Sequence, residues 1–139
     1  MAANPKAFLA GYWLATLLVA GIMILSGAAD VLMVEPAREA FTHLGYPLYM
    51  GRMLGVFKTL GGLALLAPGF ALLKEWAYAG IVFDLIGATV SHAASGDPPG
   101  QVAIPAVFLV LTFASYLLRP EPRRLAASPN LLPAPAPAP

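Results

Sequence analysis

Four apolar stretches divide the chain, and their lengths decide the class of protein. They cover residues of about 8–34, 49–66, 76–94 and 102–118. A bilayer core requires roughly 17–25 residues of helix, so each stretch can cross it. Backbone groups in lipid must be satisfied internally, and these stretches lack the alternation of a barrel strand. The pattern therefore predicts an all-α fold, an integral membrane four-helix bundle.

The segment between the first two stretches follows a different pattern. Residues 35–47 carry apolar positions at helical spacing with charged positions between them. This predicts a short interfacial amphipathic helix between the first two spans. We expect residues 1–124 to form one four-helix transmembrane domain. Residues 125–139 end in an Ala-Pro repeat, which predicts a disordered Pro/Ala-rich cytoplasmic tail.

Composition supports the membrane class and excludes several functions. The chain of 139 residues is 59% hydrophobic and only 11% charged, whereas soluble domains are about a quarter charged. A net charge of +1 without a long basic patch gives no case for nucleic-acid binding. Cysteine is absent, which excludes disulfides, thiol redox chemistry and any Cys-ligated metal or cluster in this chain.

The distribution of cations predicts the orientation. The positive-inside rule places both termini in the cytoplasm of a multi-pass protein, because most cations fall on one side of the predicted spans. The cations on that side are Lys6, Lys74, Arg119, Arg123 and Arg124, and those on the other are Arg38 and Arg52.

Two charges lie inside the predicted spans. Lys58 and Asp84 fall near mid-depth of the second and third spans. Left alone, each would cost about 2.5–3.5 kcal/mol on insertion scales, so we expect them to form an ion pair. Small residues at helical spacing let membrane helices approach closely, and both charges lie in such stripes. The stripes are Gly51, Gly55 and Gly62 around Lys58, and Gly80, Gly87 and Ser91 around Asp84.

A second polar set lies nearer the predicted outer surface. Asp30, Arg52 and His92 are expected to line a vestibule that narrows to the Lys58–Asp84 pair. Glu39 and His43 on the amphipathic segment are candidates for a lid over it. The ligand-binding candidates are Asp30, Arg52, Lys58, Asp84, Ser91 and His92.

The same residues have plainer interpretations. The buried pair can be a structural clasp that sets helix register. Asp30 and Arg52 can lie at headgroup depth, where charges cost little. Bis-histidine haem is disfavoured, since His43 and His92 are the only histidines and His43 falls in a loop. No metal-ligand, P-loop, dinucleotide or serine-nucleophile motif is present.

Several ordered segments resemble the DoxX-like family of small four-helix membrane proteins. The resemblance covers residues of about 11–118 and implies four membrane helices in a bacterial cell (inner) membrane. Relatives are linked to quinol-dependent or thiol-linked redox assemblies, and the lack of cysteine argues against a thiol role here. Members often carry Lys-Leu after the Ser-Gly of the first helix, where this chain has Ala-Ala-Asp-Val. The matching segments are Ser26-Gly27, residues 39–47, residues 54–58, residues 74–80, Phe83-Asp84, Gly87-Ala88 and Ser91-His92.

Three functions follow from these observations. The first is a binding or accessory subunit that holds a lipophilic small molecule, of quinone or isoprenoid type, beside Lys58 and Asp84. The second is an intramembrane enzyme doing acid/base chemistry on a lipophilic substrate, with Asp84, His92 and Lys58 as catalytic candidates. The third is a purely structural membrane subunit. Expected partners are the lipid bilayer and a membrane redox partner or a second copy of the chain.

Overall fold

The computed structural model describes residues 4–126 as an all-helical chain, with no strand in that range. Most of the predicted tail, residues 127–139, lies outside the described residues. The helices are α1 (Pro5–Leu32), α2 (Glu35–His43), α3 (Leu48–Leu66), α4 (Ala71–Ala94) and α5 (Pro99–Leu117), followed by a 3₁₀ turn at Glu121–Arg123.

Helix boundaries follow the local chemistry. Asn4 caps α1, because its side chain accepts a hydrogen bond from the Lys6 amide at 3.0 Å. Pro5 has no amide N–H, and the first turn of a helix does not need one because its N–H groups have no partner within the helix. α1 ends at Leu32, and its C-cap Met33 adopts a left-handed conformation with φ of 51°. The helix therefore begins three residues before the predicted apolar stretch and stops two residues short of its end. Pro47 and Pro98 directly precede α3 and α5, where proline cannot continue a preceding helix.

Three helices, α1, α4 and α5, are long and apolar enough to cross a membrane. Their outer surfaces carry large apolar side chains: Leu25 of α1, Val90 of α4 and Val110 of α5 are 60–71% exposed. Exposure of this kind over whole helix faces suits contact with lipid rather than water. α3 is of similar length but is diluted by four glycines and two cations.

The four long helices contact one another in a cycle. α1 packs against α3 and α5, and α4 packs against the same two helices. α3 runs antiparallel to α1, because Gly51 meets the side chain of Met33 while Gly62 meets the backbone of Ala20. The apolar core lies toward the end of α3 and the first half of α4. Its buried members are Val19, Ala20, Met23, Ala64, Leu65, Ala77, Tyr78, Ile81 and Leu85.

A polar network closes the end of the molecule beyond this core. The Ser115 hydroxyl lies 2.7 Å from both the Thr16 and Tyr78 hydroxyls, so it links α1, α4 and α5. Lys74 is fully buried and donates to the Ala67 and Gly69 carbonyls just after α3. These bonds satisfy carbonyls that a helix C-terminus leaves without partners.

The segment after α5 folds back onto the same end. Arg123 donates to the Leu65 carbonyl at 3.0 Å, and Arg119 forms an ion pair with Glu75 at 2.7 Å. The Arg119 guanidinium also lies 4.1 Å from the ring centroid of Tyr116. Several of the cations that predict the orientation therefore have fixed structural partners.

Candidate functional site

A cavity of about 720 Å³ lies between α3 and α4. α1 contributes Met23 and Asp30 to its wall, while Phe41 and Tyr46 reach it from α2 and the turn that follows. Most of the lining is apolar, including Phe57, Leu60, Leu73, Trp76, Ala77, Ile81 and Phe83. The polar lining residues are Asp30, Tyr46, Lys58, Asp84, Ser91 and His92.

The glycines of α4 help to form the wall of this cavity. A Cβ added to Gly80 or Gly87 would meet nothing within 4 Å, and both residues line the cavity. The prediction that this stripe brings α4 close to another helix is therefore wrong. Glycine here leaves space instead of permitting contact.

The glycines of α3 behave in the opposite way. A Cβ on Gly55 would lie 2.6 Å from the Gly27 carbonyl oxygen, and one on Gly62 would lie 2.9 Å from the Ala20 carbonyl oxygen. These distances are shorter than real Cβ contacts, so the backbones of α1 and α3 touch. The stripe that contains Lys58 consequently borders α1, not α4.

Lys58 pairs with Asp30, which corrects the predicted Lys58–Asp84 pair. The Lys58 ammonium donates to Asp30 Oδ2 at 2.8 Å, and the two side chains are 17% and 10% exposed. Asp30 lies level with Gly55, whose added Cβ would be 2.8 Å from the Asp30 Cβ. It therefore belongs to the inner pair and not to an outer vestibule shared with Arg52. The close approach of α1 and α3 brings the two charges together.

Asp84 faces the same cavity from α4 without a protein partner. Among residues 4–126 its carboxyl makes no hydrogen bond and no ion pair. Both of its oxygens can accept from a bound molecule. Asp84 is thus the polar group of the cavity that the protein itself leaves most available.

The cavity is closed at one end by hydrogen bonds between the α2–α3 turn and α4. The Ser91 hydroxyl donates to the Gly87 carbonyl at 2.7 Å, which leaves its oxygen to accept from the Tyr46 hydroxyl at 2.7 Å. Tyr46 contacts the ring of Phe41 edge-on, with centroids 6.5 Å apart. These contacts hold α2 and the turn after it against this end of the cavity.

A second link joins α2 to the loop after α4. Asp97 Oδ2 lies 2.6 Å from His92 Nδ1, and Asp97 Oδ1 lies 2.6 Å from His43 Nε2. An ionised carboxylate only accepts, so both rings donate. These hydrogen bonds, from His92 first and His43 second, lower the pKa of Asp97 below its usual 3.8. The His92 ring lines the cavity, while its Nδ1 is held by Asp97.

The remaining predicted site residues lie away from the cavity. Arg52 and Glu39 are exposed and do not line it, and His43 reaches it only through its bond to Asp97. Sequence reasoning missed Asp97 and Tyr46. The five-residue spacing from His92 to Asp97 across the Gly96 turn was an available signal for the first.

Metal binding has no support in the part of the chain that the structure describes. No group of three His, Cys, Asp or Glu residues there could hold an ion. His43, His92 and Asp97 are engaged in hydrogen bonds with one another instead.

Comparison with models of protein families shows which family the chain belongs to. A family model described as the DoxX-like family matches residues 14–115. The chain belongs to the DoxX-like family. Comparison with curated proteins and with solved structures finds no match. The matched range includes every residue that lines the cavity, so the cavity belongs to the DoxX-like part of the chain. Family membership and the apolar helices together identify a membrane protein.

Proposed function

We propose that α1, α3, α4 and α5 all cross the membrane as a four-helix bundle. α3 has 19 residues, which at 1.5 Å per residue gives about 28 Å, close to the bilayer core. Lys58 is neutralised by Asp30, and Arg52 lies one turn from the start of α3, where its side chain can reach the interface. These features let α3 cross despite its two cations.

α2 suits a position at the membrane surface in this arrangement. Ala37 is buried and Phe41 is close to Gly51 of α3, whereas Glu35, Arg38 and Glu39 are exposed. A short helix with one apolar and one charged face lies in the interface plane. With the cation-rich end in the cytoplasm of a bacterial cell, α2 lies on the outer side of the membrane.

Within this bundle we propose that the protein binds a lipophilic small molecule, of quinone or isoprenoid type, as a binding or accessory subunit. The observation that carries the proposal is the cavity between α3 and α4. Its volume lies in the range of small-molecule sites, and such sites combine an apolar lining with a few convergent polar groups. Trp76 and Phe57 would contact the apolar body, and Lys58 and Asp84 would contact its polar end.

An intramembrane enzyme is the second candidate, and one observation favours it. Asp97 holds Nδ1 of His92 while the His92 ring lines the cavity, the orientation in which a carboxylate prepares an imidazole for proton transfer. Turnover of a bound lipophile that is lost in His92→Gln, with binding retained, would favour this candidate.

A purely structural role is the third candidate. The backbone contact of Gly27 with Gly55 and the Lys58–Asp30 pair suit a clasp between α1 and α3. This role explains the clasp but leaves the cavity without a purpose.

Filling the cavity tests the binding proposal directly. Gly87→Leu adds a large side chain at the cavity wall, at a position where a Cβ meets nothing within 4 Å. Gly21→Leu is the matched control, because its Cβ also meets nothing and Gly21 does not line the cavity. Each full-length variant is purified in nanodiscs and its co-purifying lipophiles are measured by mass spectrometry.

We expect the wild type and Gly21→Leu to retain a specific lipophile above the bulk phospholipid, and Gly87→Leu to lose it. Retention of only bulk phospholipid by the wild type would argue against binding. Equal retention by both variants would place the ligand elsewhere.

A further inference from the structure

We infer that the molecule held in the cavity carries a hydroxyl head group, which donates a hydrogen bond to Asp84. The inference rests on the proposed function and goes beyond it by assigning the chemistry of the head group. It follows from which donors and acceptors at the polar end of the cavity are already used by the protein.

The cavity contains a hydrogen-bond acceptor that the protein leaves unused. Asp84 lines the cavity and has no hydrogen-bond or ion-pair partner among residues 4–126. Its carboxyl has an acceptor oxygen in either protonation state. By contrast, both oxygens of Asp97 are occupied by His43 and His92, and Asp30 already accepts from Lys58. A ligand that only accepts hydrogen bonds would leave an ionised Asp84 without a partner in an apolar site, which is costly.

Some of the hydrogen-bond donors that line the cavity are already used by the protein. Tyr46 donates to Ser91, and Ser91 donates to Gly87. The Lys58 ammonium has three N–H groups, of which one is directed at Asp30, so it can also donate to a ligand oxygen. A head group that donates to Asp84 and accepts from Lys58 uses an available acceptor and an available donor. A hydroxyl does both with one oxygen.

The balance of charge argues against an anionic head. A carboxylate or phosphate head would bring a negative charge beside Asp30 and Asp84, which repel it, with Lys58 already paired. An ammonium head would suit Asp84 but would add a second cation near Lys58. A neutral hydroxyl on an apolar body adds no charge to a mostly apolar cavity.

A pair of matched probes tests the assignment. A para-dodecyl phenol and its methyl ether have the same apolar body, but only the phenol donates a hydrogen bond. Binding of each to the full-length protein in nanodiscs is measured by equilibrium gel filtration and mass spectrometry, with empty nanodiscs subtracted. We expect the phenol to bind about tenfold more tightly, the fold-change that one additional hydrogen bond supplies.

Three variants connect this preference to Asp84. Asp84→Leu removes the acceptors at similar volume and should reduce the phenol-to-ether ratio to about one. Asp84→Asn keeps one neutral acceptor and should retain an intermediate ratio, which keeps the test decisive if the leucine variant does not fold. Glu35→Gln changes an exposed carboxyl outside the cavity and should keep the wild-type ratio.

Equal binding of phenol and ether, tighter binding of the ether, or a ratio unchanged in Asp84→Leu would overturn the head-group assignment while leaving lipophile binding intact. Tighter binding of the matched dodecyl benzylamine than of the phenol would also overturn it, in favour of a cationic head. If no probe binds above empty nanodiscs, the proposed function fails and the assignment fails with it.

Discussion

Replacing Gly55 by alanine tests whether the glycines of α3 are in direct contact with the backbone of α1. The new methyl carbon would lie 2.6 Å from the Gly27 carbonyl oxygen and 2.8 Å from the Val31 amide nitrogen. Ordinary contact begins at 3.4 Å, so the helices must separate by about 0.6–0.8 Å. Both obstacles are backbone atoms, which cannot rotate away.

The size of the effect follows from two opposing contributions. Overpacking of a closed contact costs about 1–3 kcal/mol. Alanine returns about 0.8–1 kcal/mol through its higher helix propensity. We therefore expect the free energy of unfolding of Gly55→Ala to fall by up to about 2 kcal/mol. Separation of the helices should also lengthen the Lys58–Asp30 contact, which adds to the loss.

Gly80→Ala is the matched control, because its added Cβ meets nothing within 4 Å. It should leave stability unchanged or raise it by up to about 1 kcal/mol. The assay is reversible unfolding in mixed micelles, in which sodium dodecyl sulfate is titrated and helix content is followed by circular dichroism. If Gly55→Ala is as stable as Gly80→Ala, the backbone contact between α1 and α3 is not present and the argument is refuted.

Two further predictions concern the ionised groups. Lys58→Met should destabilise the protein by about 3–5 kcal/mol, because it leaves Asp30 buried and unpaired. Adding Asp30→Leu to that variant should restore most of the lost stability in the same assay. A double variant no more stable than Lys58→Met alone would contradict the pairing. Asp97 has a lowered pKa, so its contribution to stability is complete above about pH 3.8 and is lost as the pH falls through the lower folded value. The difference in melting temperature between wild type and Asp97→Asn should therefore disappear in acid, and a difference that grows below pH 4 would contradict the His43–Asp97–His92 link.

The membrane class, the all-helical fold and the family could be predicted from the chain alone. The chain has apolar runs of bilayer length that lack strand alternation. In lipid, such runs satisfy the hydrogen bonds of their backbone as helices. The prediction of helices is confirmed over residues 4–126, and the family is confirmed over residues 14–115. Of the predicted site, Asp30, Lys58, Asp84, Ser91 and His92 line one cavity.

The partners of the charges could not be predicted in the same way. The spacing of Gly55, Lys58 and Gly62 showed that they share one helix face, and that face does make the closest contact of α3. Spacing does not say which neighbouring helix meets the face. The corresponding face of α4, with Gly80 and Gly87, has identical spacing yet borders open space.

The sequence by itself determined the length, polarity and local ends of the helices, because these depend on residues close together in the chain. Only the tertiary structure decided that Lys58 meets Asp30, that Asp84 remains available to a ligand, and that His43 and His92 share Asp97. Each of these depends on how helices rotate and pack against one another. That arrangement is set by the shape of whole faces, such as the contact of Gly27 with Gly55, and not by any local pattern.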